Sequence, residues 1–216
     1  MAIPVMILGE SGSGKTRSLK NLNPKEVILI QPIKKPLPFK ALGWDKFDGK
    51  TKTGSVLRTD DYAVIKSVCL NAHKKGVKYI VIDDAQYIML NESLRRVEET
   101  GFKKFVDFAK NYVDLITSIA NCDSDIIVYF MTHTEESETG RITAKTVGKM
   151  ISQQVCLEGL FSIVLRCFAS DGRHYFTTKT SGVDCVKTPE EMFEADQIDN
   201  DLLQVGNCIN NYYGIS

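Results

Sequence analysis

Short apolar runs along the chain predict the strands of one sheet. Most of them lack a regular alternation of apolar and polar residues, which is typical of strands buried on both faces of a parallel sheet. The runs are Ile3–Leu8, Val27–Gln31, Tyr79–Asp84, Asp125–Met131 and Leu160–Phe168. A further segment, His174–Lys179, is predicted to pair with the last run as an antiparallel hairpin through Asp171-Gly172.

Apolar residues recur at helical spacing between these runs. The first predicted helix is short, because Asn23-Pro24 ends it. In the second, Asp60 is expected to be the N-cap and Gly76 to follow the last turn. Gly101 is expected to divide the helical region 85–120. The predicted helices are Arg17–Leu22, Asp60–Lys75, Asn91–Thr100, Lys103–Ala120 and the end of Ile198–Tyr213.

Strands that alternate with helices predict an α/β fold with a mostly parallel central sheet flanked by helices. The C-terminal hairpin is expected to add antiparallel strands to it. Residues 32–58 are rich in proline, glycine and polar residues and are expected to form an irregular excursion. The polar segment Glu135–Ile142 is expected to be a mobile loop. A chain of 216 residues suits a single domain, 1–216.

Composition and charge exclude several classes. Lys+Arg and Asp+Glu each number 27, so the formal net charge is zero and any nucleic-acid binding has to come from a local patch. No apolar run has the length of a membrane span and no signal-peptide pattern is found, so we expect a cytoplasmic protein without a membrane anchor. The six cysteines form no C-x-x-C pair and are interpreted as free thiols.

Candidate chemistry begins directly after the first predicted strand. Residues 9–16 read G-E-S-G-S-G-K-T and match the phosphate-binding pattern G-x-x-x-x-G-K-[ST]. Glycines let backbone N–H groups approach a phosphate, and a following helix adds its dipole. Lys15 is expected to contact the β- and γ-phosphates of ATP, and Thr16 to ligate Mg²⁺. The expected nucleotide contacts are Gly9, Glu10, Ser11, Gly12, Ser13, Gly14, Lys15, Thr16 and Arg17.

The run Tyr79–Asp84 (Y-I-V-I-D-D) is a second chemical landmark. A buried strand that ends in acidic residues is the pattern that delivers a carboxylate to the Mg²⁺ beside a phosphate-binding loop. Asp83 is predicted to hold Mg²⁺. Asp84 is predicted to polarise the attacking water as the catalytic base, although a helix N-cap or a structural link is the alternative for this residue.

These motifs together resemble the small phage-encoded P-loop ATPases with a RecA-like core, a family that includes single-strand annealing proteins. The resemblance covers nearly the whole chain and implies an ATPase that forms homo-oligomeric rings or filaments on single-stranded DNA. It also implies a role in phage recombination or replication, with other phage proteins, in the host cytoplasm. It is carried by the phosphate-binding loop, P-L-P-F with Gly43-Trp44, Y-I-V-I-D-D, Met131-Thr-His133, K-T-V-G-K, F-S-I-V-L-R, K-T-P-E-E-M-F and N-D-L.

The resemblance assigns a role to the end of the fourth predicted strand. In P-loop ATPases a polar residue there senses the γ-phosphate, and His133 is the candidate; a turn histidine is the alternative. Lys34 and Lys35 are interpreted either as a solvated loop or as contacts to nucleotide or nucleic acid. Arg95 and Arg96 are interpreted as a solvated helix face, or as an inter-subunit or DNA contact.

One departure from the RecA pattern is that the second predicted strand ends in Gln31-Pro32, where recombinases carry a catalytic glutamate. The water-activating acid then has to be another residue, such as Asp84 or Glu135. Lys145 and Lys149 are interpreted as a solvated turn, or as contacts to DNA or to a neighbouring subunit's ATP. The alternative overall function is a nucleotide-dependent assembly or loading factor without strand exchange, and a small-molecule kinase is a third.

Overall fold

The fold is built on one large sheet. The computed structural model describes residues 1–51, 53–137, 139–147 and 155–215. Ten strands are found within them: β1 (Ile3–Leu8), β2 (Val27–Ile30), β3 (Val56–Leu57), β4 (Tyr79–Ile82), β5 (Ile127–Thr132), β6 (Thr134–Glu136), β7 (Ile142–Ala144), β8 (Ile163–Ser170), β9 (Arg173–Thr177) and β10 (Gln197–Asp199). Strands β6 and β7 form a separate hairpin, and the other eight form the main sheet.

The strand order of the main sheet is β10-β9-β8-β1-β5-β4-β2-β3. Neighbours from β8 to β3 are parallel, whereas β8, β9 and β10 pair antiparallel. The predictions of an α/β fold, a mostly parallel sheet and a C-terminal antiparallel hairpin are therefore confirmed. Because β1, β4 and β5 are parallel and in register, the segments that begin at Gly9, Asp83 and His133 leave the sheet at the same edge.

Helices cover both faces of this sheet. The described residues form α1 (Tyr62–Asn71), α2 (Gln86–Arg95), α3 (Lys103–Ala120) and α4 (Leu202–Tyr213). Successive strand residues point to opposite faces, so each strand contributes to two apolar layers. Met6, Ile82 and Phe130 pack with residues of α1, α2 and α3, whereas Val81 and Tyr129 pack with residues of α4. Full burial of such side chains contributes about 1.5–3 kcal/mol each.

Two predicted helices differ in the structure. Arg17–Leu22 is replaced by a single 3-10 turn, Thr16–Leu19, because Asn23-Pro24 directs the chain into β2 after one turn. The helix predicted to begin at Asp60 is instead capped by Asp61, whose side chain accepts a hydrogen bond from Val64 N at 3.0 Å.

The helical region predicted from residue 85 begins as expected, but its first helix ends earlier than predicted. It covers Gln86–Arg95 and does not continue to Thr100; Ile88 and Met89 are buried against the sheet and hold its first turns there. The prediction for Lys103–Ala120 is confirmed, including the break at Gly101, which has a φ of +86°.

The loop predicted over Glu135–Ile142 is shorter in the structure, because its two ends belong to strands. Strands β6 and β7 form an antiparallel hairpin over its two ends, with Glu135 paired to Thr143. Alternating side chains in the two short segments allow this pairing, and Ser137 N donates to Arg141 O at 2.9 Å to close it. Of the segment predicted to carry two lysines, Lys145 is described and Lys149 lies outside the described residues. None of the helices in the described residues has the length and apolar character needed to cross a bilayer.

Candidate functional site

The loop 9–16 follows β1 at the edge of the sheet where β4 and β5 also end. Gly14 has a φ of +106°, and a Cβ built on it would lie 2.5 Å from His174 Nδ1. A Cβ on Gly9 would lie 2.8 Å from Cys167 O and 2.5 Å from Ser13 Oγ. Both positions therefore require glycine, because the loop packs tightly against β8 and β9.

Lys15 is buried beneath this loop, with 6% of its surface exposed. Its Nζ donates hydrogen bonds to Gly9 O at 2.7 Å and to Glu10 O at 2.9 Å. Burial lowers the pKa of Lys15, and the nearby carboxylates of Asp84 and Asp83 offset this effect in part. The ammonium group is thus held by two neutral carbonyl oxygens inside a cradle of backbone, which is a position from which it can bind an anion.

Thr16 and Asp83 lie against each other although they are far apart in sequence. Thr16 Oγ1 donates to Asp83 at 3.0 Å from Oδ1 and 3.2 Å from Oδ2. Asp83 is 3% exposed, and burial together with the neighbouring Asp84 charge raises its pKa to about 6. A hydroxyl beside a buried carboxylate fits Mg²⁺, which prefers oxygen ligands and takes one or two carboxylates plus phosphate oxygens.

Within the described residues, no group of three or more His, Cys, Asp or Glu side chains is arranged to hold a metal ion. A Mg²⁺ site of the nucleotide-binding kind does not need such a group, since phosphates and water complete the coordination.

Asp84 meets a different environment from its neighbour. Its backbone has a φ of +59°, and both of its carboxylate oxygens are engaged. Oδ2 accepts from Lys35 Nζ, and Oδ1 accepts from His133 Nε2 at 3.0 Å. Burial alone would raise the pKa of Asp84, but the hydrogen bonds from His133 and Lys35 outweigh it and lower the pKa to about 2. The carboxylate is therefore firmly ionised and is a weak base in this arrangement.

His133 connects β5 to the hairpin that follows. Its backbone N–H donates to Gln86 Oε1 at 3.4 Å, and its backbone carbonyl accepts from Lys145 N at 2.7 Å. Because its ring donates to Asp84, His133 links the end of β5 to the end of β4.

Most of the predicted residues surround one pocket of about 420 Å³. The pocket lies on the exposed side of the loop, between it and the acidic end of β4. Its lining residues are Ser11, Gly12, Gly14, Lys15, Thr16, Arg17, Lys35, Pro38, Asp84, His133 and His174. Glu10 and Ser13 line a second pocket of about 350 Å³ together with Arg166, Cys167 and Phe168. The structure thus brings the predicted loop, acid and histidine together.

His174 is a residue that the sequence analysis did not single out. Its Nδ1 donates to Ser13 O at 2.7 Å, so Nε2 is the ring nitrogen that can meet a ligand. Cys167 Sγ donates to the same carbonyl at 3.1 Å. No local motif marks His174; the only signal is that the predicted hairpin returns one strand close to β1.

The position of Lys35 bears on whether this lysine belongs to a solvated loop or to a binding site, which the sequence left open. It contacts Asp84 and lies with its Nζ 5.8 Å from the centre of the Tyr87 ring, so it belongs to the pocket and not to a free loop. Gln31, at the position of the missing glutamate, is buried and donates from Nε2 to Lys35 O at 3.0 Å. It therefore supports Lys35.

Two other candidates lie elsewhere. Glu135 lines a separate pocket of about 390 Å³ with Arg141 and Glu158, so the structure does not bring it to the loop. Arg95, the last residue of α2, pairs with Asp60, and Arg96, which directly follows the helix, pairs with Glu92, Glu99 and Asp107. Both arginines thus serve contacts within the chain, which favours their interpretation as part of a helix face.

Comparison with known proteins adds no relative to this description. No protein-family model matches the chain, and no match is found among curated proteins. What the site can do therefore rests on its own geometry.

Proposed function

We propose that this protein is a Mg²⁺-dependent ATPase with a RecA-like P-loop core. One observation carries the proposal: three groups that phosphoryl transfer requires converge on one pocket. These groups are Lys15, Thr16 and the Asp84–His133 pair, all of which line the pocket; the buried Asp83 joins them through its hydrogen bond with Thr16. Phosphoryl transfer depends mainly on positioning and electrostatic stabilisation, and this arrangement supplies both.

The strand order supports the finer assignment of the fold. Strand β5 lies between β1, which carries the loop, and β4, which carries the acids. In this order the loop and Asp83 are separated by the width of one strand. A metal ion held by Asp83 would therefore lie close to the terminal phosphate of a nucleotide bound by the loop. The order also puts the polar end of β5, His133, between the loop and the acids.

The chain's own residues would act as follows. Backbone N–H groups of the loop bind the phosphates, and Lys15 shifts from the carbonyls of Gly9 and Glu10 to the terminal phosphates. Thr16 and Asp83 would hold Mg²⁺, which when bound neutralises phosphate charge.

Water is the nucleophile of the proposed reaction. Its oxygen bonds to the γ-phosphorus while the bond to the β–γ bridging oxygen breaks, and ADP leaves with that electron pair. Asp84 accepts the hydrogen bond that orients this water, and the proton that the water releases ends on inorganic phosphate. The low pKa of Asp84 makes orientation, rather than strong proton abstraction, its main role.

The wider role in DNA recombination or replication is supported by the resemblance of the sequence motifs to phage RecA-core ATPases. Single-stranded DNA would then stimulate turnover, whereas a loading or assembly factor without strand exchange would hydrolyse ATP independently of DNA.

The test of the proposed activity is the Lys15→Ala variant. We expect ATP turnover to fall about 100-fold or more, because the variant loses the cation that stabilises charge on the transferred phosphoryl group. Turnover is measured as phosphate release with Mg²⁺, with Lys20→Ala as the control, since Lys20 is exposed and outside the pocket. Undiminished turnover by purified Lys15→Ala would show that the loop is not the ATP site.

A further inference from the structure

Lys35 occupies a position between two possible anionic partners. Its ammonium group contacts Asp84, and the same side chain lines the pocket together with Lys15 and Thr16. An anion bound in that pocket would therefore lie beside Lys35 as well as beside Lys15.

The backbone of Lys35 is fixed, whereas its side chain has freedom to move. Gln31 holds the Lys35 carbonyl at 3.0 Å, and Pro36 and Pro38 restrict the chain that follows. The side chain itself is 46% exposed, in contrast to 7% for that of Asp84. Movement of Lys35 thus requires rotation about side-chain bonds only.

Each carboxylate oxygen of Asp84 already accepts one hydrogen bond, and a water bound at its second lone pair is held less strongly while a cation shares that oxygen. Oδ1 is bound by His133 and Oδ2 by Lys35. Of the two, Lys35 has the more exposed side chain, at 46% against 22% for His133. A terminal phosphate carries more negative charge than a carboxylate and offers several acceptor oxygens, so it competes well for the ammonium group.

We propose that Lys35 is a positioning residue that exchanges partners: it holds Asp84 in the absence of nucleotide and binds the terminal phosphate of a nucleoside triphosphate, which releases Asp84 Oδ2 to orient water. The inference rests on the proposed ATPase function. The exchange of partners predicts two properties of the protein. Lys35 contributes to binding of a triphosphate and not of a diphosphate, and Asp84 competes with the nucleotide for Lys35.

The test measures affinities by calorimetry with Mg²⁺, using ADP and the non-hydrolysable analogue adenosine 5′-(β,γ-imido)triphosphate. We expect Lys35→Gln to weaken binding of the analogue on the order of tenfold while ADP affinity stays unchanged, because a charge-assisted contact to the terminal phosphate is lost. Lys35→Arg restores most of the loss, and Lys34→Gln, on the adjacent exposed lysine, leaves both affinities unchanged.

The competition is tested with Asp84→Asn. This variant is expected to bind the analogue several-fold more tightly, because Lys35 no longer has to leave a carboxylate. In the Lys35→Gln/Asp84→Asn double variant that gain disappears, since there is no ammonium group to release. Thermal unfolding of each variant checks that the fold is retained.

The outcomes separate this inference from the proposed function. Binding of neither nucleotide by the unmodified protein overturns both. Binding by the unmodified protein, with equal effects of Lys35→Gln on the analogue and on ADP, overturns the role of Lys35 alone. A gain from Asp84→Asn that persists in the double variant overturns the exchange, because it would then reflect only the removal of negative charge near the phosphates.

Discussion

Asp83 and Asp84 are neighbours in the sequence, but their carboxyl groups meet opposite surroundings. Asp83 has a raised pKa, since burial and the charge of Asp84 disfavour its ionised form more than the hydrogen bond from Thr16 favours it. Asp84 has a lowered pKa, since two cationic or donor groups bind it. A pair with such different environments is typical of two different roles; the roles that we propose are metal binding for Asp83 and water orientation for Asp84.

The metal role of Asp83 is tested by Asp83→Asn. The amide keeps the shape of the side chain and still accepts from Thr16, but it lacks the charge that attracts Mg²⁺. We expect the Mg²⁺ concentration for half-maximal ATP turnover to rise on the order of tenfold or more. The measurement is phosphate release over a Mg²⁺ titration after treatment with a chelator.

Asp123→Asn is the control for this titration, because Asp123 is fully exposed at the surface. An unchanged Mg²⁺ requirement in Asp83→Asn would assign the metal to other ligands and leave Asp83 a structural partner of Thr16.

At the scale of elements, the buried strands could be predicted from the sequence, whereas the exact start of a helix and one short hairpin could not. Short continuous apolar runs such as Ile3–Leu8 are typical of strands buried inside a parallel sheet. Asp60 and Asp61 are adjacent and both suit an N-cap, so residue propensities do not decide which of them precedes the first turn of the helix. The β6–β7 hairpin was missed because its two strands are only three residues each.

Contacts between distant elements could not be predicted from local patterns. Lys35 reaches Asp84 only because β2 pairs with β4, and His174 reaches the loop only because β9 pairs with β8 beside β1. Both contacts follow from strand order, which is a property of the whole sheet. The residues of the motif itself, Lys15 and Thr16, were predictable because the loop carries its own spacing.

The β8–β9 hairpin contacts the loop 9–16 through His174, and His174→Ala tests whether this contact supports the proposed binding of nucleotide. We expect affinity for ATP to weaken about three- to tenfold, because the loop loses one hydrogen bond to Ser13 O and the ring that packs on Gly14. Affinity is measured by calorimetry with the non-hydrolysable analogue.

Arg173→Ala is the matched control, since Arg173 lies next to His174 on the same strand and is exposed. If the two variants bind the analogue equally well, the hairpin packs on the loop without shaping it.

At the scale of the whole molecule, charge and topology together restrict where DNA could bind. A net charge of zero provides no general attraction to phosphate, so binding depends on local cations. Lys145 is one candidate: it is exposed, and its backbone N–H is bonded to the carbonyl of His133. Lys145 is therefore connected by one backbone hydrogen bond to His133, whose ring binds Asp84.

This connection predicts that DNA binding and ATP turnover change together in Lys145→Ala. Single-stranded DNA is expected to stimulate phosphate release by the unmodified protein, and less so by the variant. Binding with one phosphate contact fewer releases fewer counterions, so the negative slope of log affinity against log salt should become shallower by about 0.7 in the variant.

Lys75→Ala is the control for both readouts, because Lys75 precedes β4 and so lies at the opposite edge of the sheet. A reduced salt slope with unchanged stimulation would place Lys145 in contact with DNA but separate that contact from His133. If neither readout changes while DNA still stimulates turnover, DNA binds through other cations. Turnover that DNA does not affect in any of the three proteins would instead favour a nucleotide-dependent assembly or loading factor, because the site would then respond to nucleotide alone.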